Sequence, residues 1–174
     1  MICDRILGNL GDGEPWLDHA ARDVIDLTWF ECFRRAVKKR TRGGRSVGLL
    51  LPLGTTLHHG DVVWKDDGGI IAVEVRPCEV LAVRPATLAE TGMIAAELGN
   101  LHVPLEVRRD GTLLVLPDGP VEGVLRRYGA SAQRETVRFS PLRASVPEEL
   151  KLAEGFSVVR RDISAAPTSP PGAP

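Results

Sequence analysis

Apolar residues recur along this chain at two spacings, and the change from one to the other divides it. In the first part they alternate with polar residues or come in short runs broken by Gly, Asp and Pro. Ile25, Leu27 and Trp29 alternate with Asp26 and Thr28, the period of a strand with one buried face. Residues 46–52 carry the run Val-Gly-Leu-Leu-Leu and predict a buried strand. Gly60-Asp61 is a turn signal ahead of Val62-Val63-Trp64. Lys65-Asp66-Asp67-Gly68-Gly69 is a hairpin loop before a further strand at 70–75. A short first strand is expected over residues 5–9. Strand and turn signals leave little room for a helix before residue 80, so a small β-sandwich or open barrel is expected over residues 1–77.

Beyond Pro77 the period lengthens. After a strand at 79–83, Pro85 opens a helix with Leu88, Thr91, Ile94, Ala95 and Leu98 at spacings of three and four, and Glu90 and Glu97 on the other face. Gly99 and Asn100 are residue types that tolerate the left-handed backbone of a helix C-cap. Val103 is driven extended by Pro104. His102 therefore falls on a sharp helix-to-strand corner with its ring outward. A strand at 103–108, an Asp110-Gly111 turn and a returning strand at 112–116 follow. Val121, Val124 and Leu125 mark a second helix ended by Tyr128-Gly129, and 135–139 alternates with Val137 and Phe139 inward. This βαββαβ order is the ferredoxin-like arrangement. The fold class is thus α+β: an N-terminal all-β domain at 1–77, a ferredoxin-like domain at 78–145, and a Pro/Ser/Ala-rich tail at 146–174 expected to be disordered.

A net charge of −1 gives no bulk electrostatic case for nucleic acid or an anionic membrane. The apolar runs, such as 47–53, are too short to span a bilayer. Asp4, Gly8 and Asp12 stand where an export signal needs an apolar core. Cys3, Cys32 and Cys78 form no CxxC, which argues for reduced thiols and a cytoplasmic protein. The basic stretch at 34–45 reads as a solvated edge strand leading into a Gly43-Gly44 turn, its lysines blocking edge-to-edge pairing. Its functional reading is a patch for an acidic partner. Nucleic acid is disfavoured because no aromatic is interleaved.

Phosphate-binding loops, dinucleotide fingerprints and nucleophile elbows are absent. Carboxylate pairs such as Asp66-Asp67 and Glu148-Glu149 lie in loops. No catalytic residue is assigned and no enzyme activity is expected. Imidazole remains, at His19, His58, His59 and His102. His19 lies among acidic and polar residues and reads as solvated. His58 and His59 are adjacent on an extended segment, so they face opposite ways and cannot chelate one metal without a kink. His102 alone occupies a shaped corner, where it either caps the helix or ligates a metal.

Leu98-Gly99-Asn100-Leu101-His102-Val103-Pro104 resembles the L-G-N-R-H-x-P corner of the UreE family, urease accessory proteins that act as nickel metallochaperones. Pro77-Cys78-Glu79-Val80-Leu81 resembles that family's linker into its metal-binding domain. Leu125-Arg126-Arg127-Tyr128-Gly129, then Phe139-Ser140-Pro141, resembles its second helix and closing F-x-P. Gly54-x-x-Leu57-x-x-Gly60-Asp61 matches its glycine turn. The resemblance implies an N-terminal domain that contacts partners and a ferredoxin-like domain that dimerises, with His102 of each chain meeting its mate near the two-fold axis. It implies Ni²⁺ as cargo (Zn²⁺ in vitro), a homodimer, and an accessory GTPase and the urease apoprotein as partners, with no nucleic acid and no membrane. Two features depart from the family pattern. Leu101 replaces the motif Arg, and no His follows His102. Ni²⁺ takes about four to six nitrogen and oxygen donors, so two imidazoles leave an open, exchangeable shell suited to handover. The alternatives are a metal-free adaptor that docks an acidic partner on the basic stretch, and a zinc carrier on the same scaffold.

Overall fold

A computed structural model describes residues 1–13 and 21–142 of the chain. The expected disordered tail at 146–174 lies outside the described residues. In chain order the first part runs β1 (Ile2–Cys3), β2 (Gly8–Asn9), β3 (Arg22–Leu27), β4 (Ala36–Arg40), β5 (Ser46–Leu50), β6 (Asp61–Asp66) and β7 (Gly69–Val75). These strands make two sheets, ordered β1-β5-β4 and β2-β6-β7-β3. Cys3, Val37, Val47 and Leu49 of the first face Ile25, Leu27, Ile71, Val73 and Val75 of the second across one core. The arrangement is a sandwich, with alternate residues of each strand turned inward.

Most strand expectations hold here. Ile25 and Leu27 are fully buried on β3, but the strand ends at Leu27 and Trp29 begins a 3₁₀ turn over Phe30–Phe33. The expected first strand at 5–9 is instead two short pieces, β1 and β2, because residues 4–7 join one sheet to the other. Among the described residues ahead of Leu88, the helical segments are 3₁₀ turns. β4 is an edge strand, as its basic composition predicts. The charges of residues 36–45 divide into two sets. Lys39 reaches Glu31 at 2.7 Å, Arg42 reaches Asp26 at 2.7 Å and Arg45 reaches Asp23 at 3.1 Å. Lys38 and Arg40 turn outward and meet no carboxylate among the described residues.

The second part runs β8 (Cys78–Val83), α1 (Leu88–Asn100), β9 (Leu105–Val107), β10 (Leu113–Val115), α2 (Gly119–Arg127) and β11 (Ala132–Val137). The sheet order is β11-β8-β10-β9, antiparallel throughout, which is the ferredoxin-like topology. Leu81, Val83, Leu113 and Val115 turn toward Ile94 and Leu98 of α1 and Val121, Val124 and Leu125 of α2. Val80, Ala82 and Leu114 turn to the opposite face, where Phe139 and Trp29 cover them. Pro85 does not itself open α1. Thr87 caps it, accepting the Glu90 backbone N–H at 3.1 Å, and Leu88 is 89% exposed rather than part of the core. The last strand lies earlier than its alternation suggested, at Ala132–Val137, with Phe139 buried beyond its end.

The two parts touch. The Trp29 ring stands edge-on to Phe139 at 5.5 Å between centroids, and Arg138 reaches Glu74 at 3.2 Å. The Arg76 N–H donates to the Leu27 carbonyl at 2.7 Å, holding the Arg76-Pro77 link against β3.

Candidate functional site

The corner after α1 is built from both sides. Leu98 is fully buried on the helix, and Leu105 is 95% buried on β9 (5% exposed). Between these two anchors the chain must reverse within a few residues. The helix takes Gly99 and Asn100 as ordinary helical residues, contrary to the expectation that they form the left-handed cap. Leu101 still lies in the right-handed region, and its N–H donates to Glu97 O at 3.2 Å. His102 then turns left-handed, with φ of 54°, and its N–H donates to Gly99 O at 2.9 Å.

Among the described residues His102 is the one non-glycine with positive φ. A left-handed residue other than glycine costs roughly 1–2 kcal/mol, so the position holds only because packing on each side fixes it. Its side chain is exposed. The sequence identified the corner but assigned the unusual backbone to Gly99 and Asn100. A glycine three residues before the reversal looks like a cap by composition, and only the helix length decides otherwise.

A second feature is legible only once the helix phase is known. Leu88, Ala89, Gly92, Met93, Ala96 and Gly99 line the outward side of α1 and include no charged residue. The helix's two carboxylates are engaged elsewhere. Glu90 accepts the Ala86 N–H at 2.8 Å, and Glu97 lies 3.4 Å from Arg127 Nη1 and 3.5 Å from the Tyr128 hydroxyl. Leu101, 40% exposed, continues this uncharged surface up to His102.

The other histidines serve a turn. The His58 N–H donates to the buried Asp61 carboxylate at 2.7 Å, and the His59 carbonyl accepts from Asn9 Nδ2 at 3.0 Å. Asn9 Nδ2 also donates to Asp61 at 2.9 Å, so the carboxylate is engaged from two sides. Both rings lie at the surface. His19 lies outside the described residues. Among the described residues no three His, Cys, Asp or Glu side chains converge into a metal site within one chain. The thiols are poorly placed as thiolate ligands, since burial pushes Cys32 up to about 12 and also raises Cys3 and Cys78. What one chain offers at the corner is a single exposed imidazole beside an uncharged helix face.

Comparison with known proteins bears on this geometry. The family profile described as UreE urease accessory protein, N-terminal domain, matches residues 3–76, and the profile for the C-terminal domain matches residues 78–153. A urease accessory protein UreE of Actinobacillus pleuropneumoniae is 35% identical over 143 residues, covering 80% of this chain and 75% of that protein. The protein of the same name from Acetivibrio thermocellus is 29% identical over 141 residues, covering 80% and 90%. That of Flavobacterium johnsoniae is 34% identical over 115 residues, covering 66% and 68%.

Proposed function

The chain belongs to the UreE urease accessory protein family, and from that premise we propose that it carries Ni²⁺ on His102 at a dimer interface and yields it for urease assembly. It is an accessory protein and not an enzyme. Within this reading residues 78–145 bind metal and dimerise, while residues 1–77 contact the other urease maturation components, an accessory GTPase and the urease apoprotein.

The observation that carries the reading is the exposed His102 held left-handed at the end of a helix whose outward face has no charge. Backbone strain persists where surrounding structure over-determines it, commonly at functional positions. An uncharged, largely apolar helix face can pack against its own symmetry mate, and Gly99 has open space where a Cβ would stand. Two chains joined along this face would bring two corners together, each supplying one imidazole. Ni²⁺ needs about four to six donors, so solvent or a recipient's side chains fill the rest. Such a half-furnished shell holds the ion while leaving positions through which an acceptor can take it.

The test is calorimetric titration of Ni²⁺ into the intact protein and His102→Ala. The parent should bind about one ion per dimer, and the variant should lose that event while keeping its circular dichroism spectrum. Undiminished binding in the variant, or a protein that sediments as a monomer with Ni²⁺ present, would refute the assignment.

A further inference from the structure

From Pro85 to Val107 the chain carries no Lys or Arg, the longest interval of the sequence without one, although 22 of its 174 residues are of those two types. The interval holds the whole of α1, the His102 corner and β9. Its charged residues are Glu90, Glu97 and Glu106. At the corner itself Gly99, Asn100, Leu101 and His102 are all exposed, and only the imidazole can take a charge. Leu101 is the residue where this matters. It is 40% exposed, stands directly before His102 and belongs to neither domain's core. The motif that this corner resembles carries Arg at the same place.

The cations that bound the interval are partnered. Arg84 and Arg108 share the Glu135 carboxylate, at 2.6 and 3.6 Å, and Arg108 also lies 3.9 Å from Glu106. Arg127 of α2, the helix packed against α1, lies 3.4 Å from Glu97. A guanidinium beside a carboxylate has a field that largely cancels at a distance. One imidazole per chain is a poor grip on a dication, and no His follows His102 to strengthen it. A site so thinly furnished is sensitive to any net charge placed next to it.

We propose that Leu101 sets how firmly the corner keeps its cargo: its neutral side chain holds positive charge away from an ion bound at His102, so that a site with few protein ligands can retain a dication. The inference rests on the reading of His102 as the nickel ligand and names what tunes that same site. Leu101 ligates nothing and acts through the field. An Arg at this position would bring its guanidinium to about 8 Å from an ion on the neighbouring imidazole, and a dimer would bring two. A pair of such charges weakens binding of a dication about tenfold at 0.01 M salt, where the Debye length is about 30 Å. At 0.15 M, where it is about 8 Å, the loss shrinks to about threefold.

The experiment titrates Ni²⁺ by calorimetry into the intact chain, Leu101→Arg, Leu101→Gln and His102→Ala, at about 0.01 M and about 0.15 M NaCl, with sedimentation of each sample alongside. Leu101 is exposed, so both of its replacements leave the cores intact and the circular dichroism spectrum unchanged. Leu101→Arg should bind about tenfold more weakly than the parent at the lower salt and about threefold more weakly at the higher. Leu101→Gln, polar but neutral, should stay within about twofold of the parent at both. Salt separates a field effect from a packing one, since a lost contact does not recover as salt is added. Four results would overturn the inference while leaving His102 as the ligand. They are equal affinity of Leu101→Arg and the parent at the lower salt, a loss in Leu101→Gln as large as in Leu101→Arg, a deficit indifferent to salt, and a Leu101→Arg chain that no longer dimerises. A parent that binds no Ni²⁺, or a His102→Ala chain that binds as the parent does, would overturn the His102 reading and this one with it.

Discussion

Replacing His102 by glycine separates what the corner costs from what it is for. The residue has φ of 54°, and its side chain is exposed. Holding a non-glycine residue left-handed costs roughly 1–2 kcal/mol. Glycine removes that cost but has more freedom to lose on folding, about 0.5–1 kcal/mol. Little packing is given up with an exposed ring, so the net gain should be about 0.5–1 kcal/mol. For a chain of this size that raises the melting temperature by about 1–4 °C. His102→Ala keeps a Cβ at the same backbone angle and should stay within about 0.5 kcal/mol of the parent. Scanning calorimetry of the three metal-free proteins, followed by Ni²⁺ titration of the same samples, tests both halves. The glycine variant should be the most stable of the three and, like the alanine variant, should lose the nickel site. If His102→Gly melts no higher than His102→Ala, the left-handed corner is not a cost, and strain cannot be used as a pointer to function at this position.

Leu98, fully buried at the end of α1, should cost about 2–5 kcal/mol when changed to Ala in urea denaturation, whereas Leu53→Ala, at a residue 78% exposed, should stay within about 0.5 kcal/mol. Thiol titration with a disulfide reagent at pH 8 should modify half-buried Cys78 first, with Cys3 and Cys32 reacting only on unfolding, since both are buried and the Cys32 thiol is pushed up to about 12. Burial pushes the Asp23 carboxyl up, but bonds from the Thr41 hydroxyl, the Gly43 and Val24 N–H groups and Arg45 outweigh it and lower the group to about 2. Its stabilising contribution is therefore complete above the ordinary Asp value of about 3.9 and is lost as pH falls from there toward 2. Asp23→Asn should lower stability at neutral pH and flatten the acid limb of the melting profile between pH 4 and 2.

What could be read from the sequence was whatever leaves a periodic mark. The alternation through Ile25 and Leu27, the Asp67-Gly68 hairpin and the spacing of Ile94, Leu98, Val121 and Leu125 each reflect burial on one face, and all reappear as strand, turn or helix. The ferredoxin-like order followed from those elements alone. The misplacements share a different cause. Leu88 has the spacing of a core residue but lies on the outward side of α1, whose buried residues are Ile94 and Leu98. Asn100 could cap a helix, and tertiary packing of Leu98 and Leu105 decides that it does not. A hollow of about 770 Å³ on the outer face of the β1-β5-β4 sheet, lined by Ile2, Lys38, Gly48 and Leu50, left no trace, because an absent side chain looks the same in a sequence whether it serves a turn or a cleft. Likewise the basic stretch at 34–45 is continuous in sequence, and only strand alternation and distant carboxylates such as Asp23 and Asp26 divide it into inward and outward charges.

Trp29 packs at the margin of the sandwich core and also lies against the underside of the second sheet, where it touches Phe139. One indole is thereby common property of two hydrophobic interiors. Severing the chain at Pro77 would leave Val80, Ala82 and Leu114 with Phe139 but without the indole on one fragment, and strand the tryptophan on the other. Heat or denaturant should consequently melt both halves in a single step, and an injury to either should be felt by its neighbour, although a mere two residues of covalent chain join them.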